Sequence, residues 1–232
     1  MFNKNLFFCV CNFSNSCRFK RIHANKVVTL AQNNSVIYTL LMNNTIKKPV
    51  VCIFCSSSQD VPDIIRQNSA EFAVWLAENG FSLLYGGTTC GLMKVVADSH
   101  KGAGGELIGV IPRYMTERGI QHPHLDKVFV AEDLRDRKQV MLDNSDYIVT
   151  LPGGIGTYDE FFDLLAMKQL KRHNKPMFLF NINGYFMPLI AMLRHSMENF
   201  TVKPEHFELF KVANTFEELA AMINEVNLHP IR

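Results

Sequence analysis

Residues 49–232 are predicted to fold as an α/β domain, a doubly wound, mostly parallel sheet flanked by helices on both faces, on three observations. From Pro49 onward, short apolar runs alternate with amphipathic segments, the pattern of βα units that build a parallel sheet. Two glycine-rich stretches each follow an apolar run and open a helical segment, as strand-to-helix turns do in such sheets. No internal repeat and no Pro/Gly/Ser linker divides this body, so about 180 residues are expected to form one domain.

Val50-Val51-Cys52-Ile53-Phe54-Cys55 is an unbroken apolar run and reads as the first strand, near 50–55. A helix near 62–79 follows, and Phe81 to Tyr85 reads as the second strand. The next helix, near 90–101, carries Val95, Val96 and Ala97 and leads to strands near 106–111 and 127–130. A helix near 133–144, a strand near 146–151 and a helix near 157–171 come next. Strands near 177–180 and 209–213, with helices near 184–197 and 215–226, complete the pattern. Cys52 and Cys55 have C-x-x-C spacing, but strand alternation points them to opposite faces, which argues against a redox or zinc pair.

The composition, 47% hydrophobic and 20% charged over 232 residues, excludes wholesale disorder and a fibre. No apolar run approaches the roughly 18 to 20 residues of a transmembrane helix, so no membrane partner is expected. The net charge of +2 hides an asymmetry: residues 1–48 hold seven Lys or Arg and no acid, leaving 17 basic and 22 acidic residues for 49–232. An acidic body without a basic cluster argues against a nucleic-acid partner. Six cysteines, three in the leader and three in the body, do not make a secreted disulfide framework, and a reducing, cytoplasmic setting fits them. The leader, 1–48, lacks clear helical or strand periodicity and reads as a non-core extension. It is open to three readings: a disordered tail, translated upstream sequence with Met42 as the true start, or a transit peptide that makes the location organellar.

The first glycine loop is Tyr85-Gly86-Gly87-Thr88-Thr89-Cys90-Gly91-Leu92-Met93, and the second is Pro152-Gly153-Gly154-Ile155-Gly156-Thr157-Tyr158-Asp159-Glu160. Glycines at strand ends let successive backbone N–H groups converge on a phosphate at a helix N-terminus. Neither loop is a P-loop, since no Gly-Lys-Ser/Thr follows, and the dinucleotide fingerprint fails because Asp159 stands where a third glycine belongs. Thr157 and Glu160 also spell a T-x-x-E capping box, so a purely structural Glu160 stays open. In the segment Asp133-Leu134-Arg135-Asp136-Arg137-Lys138, Arg137 shares a helix face with Met141; if Met141 faces the crevice, so does Arg137. Otherwise Arg137 belongs to a solvated face, paired with Asp133 four residues earlier.

Taken together, Gly86-Gly87-x-x-x-Gly91-Leu92-Met93, Arg137-Lys138-x-x-Met141 and Pro152-Gly153-Gly154-x-Gly156-Thr157-x-x-Glu160 resemble the Lonely Guy (LOG) family of phosphoribohydrolases, in order and spacing, over nearly all of 50–226. The resemblance implies a Rossmann-like fold, a homodimer, and hydrolysis of the N-glycosidic bond of a nucleoside 5′-monophosphate, a cytokinin ribotide or AMP, to free base and ribose 5-phosphate. It implies Arg137 and Glu160 as the catalytic pair and the loop from Gly153 through Gly154, Ile155 and Gly156 to Thr157 as the phosphate cradle. Gly86, Gly87, Gly91, Met93, Lys138 and Met141 are the further candidate substrate contacts, with Met93 and Met141 lining a base pocket. A carboxylate near C1 stabilises an oxocarbenium-like sugar and orients or deprotonates water, and an adjacent arginine is expected to keep it ionised. No cofactor or metal is implied: no pyridoxal phosphate lysine motif is present, although family members were often labelled possible lysine decarboxylases. His122, His124 and His173 read as surface or locally bonded residues rather than as a ligand set. A non-catalytic nucleotide or molybdenum-cofactor carrier of the same fold is the alternative, and such a binder has no need of both Arg137 and Glu160. The chain departs from the family at Cys55-Ser56-Ser57-Ser58, where a glycine is usual second, at Lys94, and at Gly119, for whose usual acid Glu117 is the candidate substitute.

Overall fold

The computed structural model describes residues 5–11, 17–23, 48–116 and 118–228. The chain divides into two units, Met1–Ile46 and Lys47–Arg232. In the first, β1 (Asn5–Cys11) and β2 (Cys17–His23) pair antiparallel, from Asn5↔His23 to Cys11↔Cys17. The segments of this ribbon, Leu6 to Val10 and the stretch Phe19 to Ile22, contain β-prone residues although the leader shows no clear alternation. Met42 and Glu117 lie outside the described residues.

The second unit is built on seven strands, β3 (Val50–Phe54), β4 (Ser82–Tyr85), β5 (Leu107–Pro112), β6 (Lys127–Ala131), β7 (Tyr147–Thr150), β8 (Met177–Phe180) and β9 (Lys211–Ala213). Its helices are α1 (Asp63–Glu78), α2 (Gly91–Gly102), the short α3 (Arg113–Thr116), α4 (Leu134–Asp143), α5 (Ile155–Gln169), α6 (Met187–Glu198) and α7 (Phe216–Leu228). The strand order is β6-β5-β4-β3-β7-β8-β9, and every pairing is parallel. Among the described residues no helix is long and apolar enough to cross a membrane.

Alternation along β3 sorts the core into two layers. Val51, Ile53 and Cys55 face Phe72 and Leu76 of α1, Leu92 and Val96 of α2 and Leu219 and Ile223 of α7. Val50, Cys52 and Phe54 face Met141 of α4, Phe161 and Leu164 of α5 and Leu189 and Ile190 of α6. Cys52 and Cys55 are thus on opposite faces, both free, and burial pushes both thiols well up. A fully buried Phe such as Phe54 or Phe161 contributes about 1.5–3 kcal/mol, against about 1 kcal/mol or less for an exposed ion pair. The two apolar layers, not surface charge, hold the frame of the site.

The chain leaves β3 towards β4, β5 and β6, then returns across the sheet to β7 on the other side of β3. Connections from β3 and β7 therefore diverge, which opens a crevice beyond their carboxyl ends. The crevice floor is stitched: Leu151 N–H donates to Phe54 O at 2.9 Å and Ser56 N–H to Pro152 O at 3.1 Å.

Candidate active site

At this switch point lies a cavity of about 510 Å³. β3 and its following turn supply Ile53 to Ser58, the first glycine loop supplies Gly86, Thr88, Cys90 and Met93, and the connection after β5 supplies Met115 and Ile120. From α4 comes Arg137, and from α5 and its entry Gly154, Ile155, Gly156, Thr157 and Glu160. Eight of the residues expected from the sequence are thus brought together around one space.

The first loop is shaped by two glycines. Gly91, with φ +52°, opens α2 so close to the serine turn that a Cβ would stand 2.2 Å from Ser58 O, while Leu92 N–H donates to Ser56 O at 3.0 Å. A Cβ on Gly86 would come within 2.3 Å of Arg137 Nη2 and 2.9 Å of Met93 Sδ. A side chain at 86 would push the guanidinium and the methionine sulfur from where they lie.

Arg137 lies three residues past the start of α4, a helix capped by Asp133, whose Oδ1 accepts from Arg135 N–H and Asp136 N–H at 2.8 Å each. The expected Asp133–Arg137 surface pair does not form, because Asp133 is engaged in capping. Arg137 turns inward, donating through Nε to Val110 O at 3.0 Å and placing Nη1 3.5 Å from Glu160 Oε1. Both side chains are largely buried, 13% and 15% exposed.

The T-x-x-E capping box is overturned. α5 begins at Ile155 with Gly154 as its N-cap, three residues before the Thr157 cap of the sequence pattern, so Thr157 sits inside the first turn and makes no cap. Glycine at 154 lets the chain enter the helix early. Glu160 is thereby released from a capping role and lies in the second turn, at the cavity wall. Burial raises its pKa to about 7, although Arg137 and Lys138 pull it down, with Asp159 adding to the rise. Arg137 thus acts on the carboxyl in the expected direction, favouring its ionised form, but desolvation outweighs an ion pair at 3.5 Å and the net shift is upward.

The other expected residues are placed nearby but not at the cavity wall. Met141 is fully buried in the layer beneath the sheet, because the turn after Arg137 packs down rather than out. Lys138 is taken up by Asp159 at 3.1 Å and Asp163 at 3.4 Å, bridging α4 to α5. Gly87 and Gly91 shape the first loop from behind. Buried Gly153 holds the second, its carbonyl accepting from Tyr185 Oη at 2.7 Å. Lys94 turns out to Asp98. His122 and His173 are locally bonded, to Asp98 and Leu164 O, and His124 is exposed. Among the described residues, no cluster of three or more His, Cys, Asp or Glu is gathered for a metal.

Sequence reasoning named the serine turn only as a departure and missed Met115, Ile120, Thr88 and Cys90 as wall residues. The glycine spacing did mark Thr88 and Cys90 as part of a strand-to-helix turn; Met115 and Ile120 carry no local signal.

Chemically, the first-turn N–H groups of α5 have no intrahelical acceptor, and with the positive end of the helix dipole they suit an anion. Beside them stand one guanidinium and one carboxyl group that changes charge near neutrality. That arrangement suits a phosphorylated substrate whose reacting bond lies a few ångströms from the phosphate.

A sequence-family model described as "Possible lysine decarboxylase" matches residues 93–223. A protein of Oryza sativa subsp. japonica named probable cytokinin riboside 5′-monophosphate phosphoribohydrolase is 33% identical over 175 residues, 75% of this chain and 72% of that protein. A cytokinin riboside 5′-monophosphate phosphoribohydrolase of Arabidopsis thaliana is 32% identical over 169 residues, 73% of this chain and 74% of that protein. In fold, the molybdenum cofactor carrier protein of Chlamydomonas reinhardtii is similar with a TM-score of 0.61, at 22% identity, over 78% of this chain and 99% of that one.

Proposed function

The chain belongs to the Lonely Guy family of phosphoribohydrolases, and from that membership we propose that it hydrolyses the N-glycosidic bond of a purine nucleoside 5′-monophosphate, either AMP or a cytokinin ribotide. Water adds across the bond, its hydroxyl to C1 of the sugar and a proton to the departing base, giving free base and ribose 5-phosphate. The observation that carries the reading is the pairing of Arg137 with Glu160 at 3.5 Å on the wall of a cavity that also holds the N-terminus of α5.

The 5′-phosphate docks on the backbone N–H groups between Gly154 and Thr157, so binding energy remote from the reaction positions the sugar. Ionised Glu160 stabilises the positive charge growing at C1 and accepts a proton from the attacking water. Arg137, pinned through Nε to Val110 O, holds its remaining donors towards the phosphate or ribose and partly offsets the burial of Glu160. Met93, Met115 and Ile120 offer apolar surface to a flat base. Exposed Leu134, Ile155 and Met187, at the starts of α4, α5 and α6, support a homodimer with its partner face beside the cavity.

The test is to incubate the purified protein with AMP and with isopentenyl-AMP and to measure free base by chromatography. Release is expected from at least one, falling by about 100-fold or more in Glu160→Ala, with Arg137→Ala also impaired at nearly unchanged melting temperature. Because the carboxylate is the working form and its pKa is about 7, kcat/KM should climb from pH 6 to pH 8. No release from either nucleotide, or equal release by Glu160→Ala, removes the hydrolase reading and leaves that of a carrier.

A further inference from the structure

The connection from β5 to β6 carries one deeply buried histidine among exposed neighbours: His122 is 2% exposed, whereas Gln121, Pro123 and His124 are exposed. Its ring is committed at both nitrogens. The His124 N–H donates to Nδ1 at 3.3 Å, which puts the ring proton on Nε2, and Nε2–H donates to Asp98 Oδ1 at 2.9 Å. Asp98 stands on α2 and also accepts from Lys94; partial burial opposes its ionisation, but these two donors hold its carboxyl below the usual range.

The backbone around His122 is tied to the first glycine loop. His122 N–H donates to Gly87 O at 2.9 Å, Thr89 N–H donates to Ile120 O at 3.1 Å, and Thr88 and Gln121 form an antiparallel bridge. Ile120 and Thr88, on the two sides of this seam, both line the cavity, and so does Met115 from the same connection. His122 itself does not line it. A ring with no free lone pair and no place at the wall cannot act on substrate directly.

We propose that His122 is a positioning residue of the active site, fastening the β5–β6 connection to α2 and the first glycine loop so that Ile120 and Met115 stay against the bound nucleotide. The inference rests on the nucleotide reading above for what the cavity holds, but the fastening is a physical property that can be measured without turnover. Removing the ring leaves the part-buried His124 N–H without its acceptor and takes one of two donors from Asp98, which is enough to let the seam open more often.

The experiment uses the full chain as wild type, His122→Ala and His122→Gln, since a glutamine amide can still donate to Asp98. Two quantities are read: hydrogen exchange of the amides at 89 and 122, and KM and kcat for AMP and isopentenyl-AMP. In His122→Ala, exchange at both amides should quicken about tenfold and KM should rise about tenfold with kcat within threefold, and His122→Gln should recover most of both effects. Unchanged exchange in His122→Ala overturns the fastening. Faster exchange with unchanged KM, or a loss confined to kcat or to melting temperature, overturns the positioning role. If the wild type cleaves neither nucleotide, the hydrolase reading is what has failed, and the exchange rates still decide whether His122 fastens the seam.

Discussion

On Glu160, burial and a neighbouring cation act in opposite senses, and burial prevails. The carboxyl keeps its proton in the folded chain up to a pH of about 7, whereas in the unfolded chain it loses it near 4.5. Between those values only the folded state holds the proton, so stability falls as pH rises from about 4.5 to 7 and is level above that. Glutamine has no such titration. Urea unfolding of Glu160→Gln and wild type at pH 5 and pH 8 should therefore show the variant gaining on wild type by about 2–3 kcal/mol over that interval, whatever offset the substitution introduces at pH 5. No relative gain would mean that Glu160 is well solvated. The chain thus gives up stability at the residue proposed to do the chemistry. The sequence showed that Glu160 stands at fixed spacing behind a glycine loop, but not that Gly154 rather than Thr157 would cap α5, which is what frees the carboxyl. Met141 shows the reverse limit: it shares a helix face with Arg137, yet the long arginine reaches the crevice while methionine one turn later packs into the core.

The elements that matter are the turns where a strand gives way to a helix. α2 enters through Gly91, whose left-handed backbone lies against the carbonyls of Ser57 and Ser58. Gly91→Ala should cost about 2 kcal/mol or more in thermal or urea unfolding, because alanine meets both an unfavourable φ and a backbone atom that cannot move aside. Since Ser57, Ser58 and Cys90 line the cavity, nucleotide binding should weaken in parallel; a variant as stable as wild type would show that the turn can relax. The strands of the body and its helices other than α3 were legible, with most ends within one residue of their place. The exceptions have local causes. α6 begins at Met187 rather than near 184, because Ile182 to Gly184 form a tight turn in which Asn183 adopts φ 51°. β9 begins at Lys211 rather than 209, after the 3₁₀ turn Pro204–Leu209.

Over the whole molecule, apolar periodicity made the α/β class readable, but strand order did not lie in any local pattern. Ile120 and Met115 reach the site only because β5 is placed two strands from β3. The unit Lys47–Arg232 carries the complete sheet, both apolar layers and the cavity. A chain starting at residue 47 should accordingly keep the melting temperature and the nucleotide turnover of the full chain; loss of either would show that the basic leader takes part. β3, the first strand of the body, ends up at its centre, and its pairing with β7 spans nearly a hundred positions, closed at its base by Val50 N–H donating to Asp146 Oδ2 and Asp146 N–H to Val50 O. On a ribosome, β3 can meet β4 early, but it must wait for β7 to emerge before its other edge is covered. The crevice therefore comes into being at the moment the two halves of the sheet join, so a bound nucleotide would act as a clasp on late assembly and favour the finished chain over any nascent one.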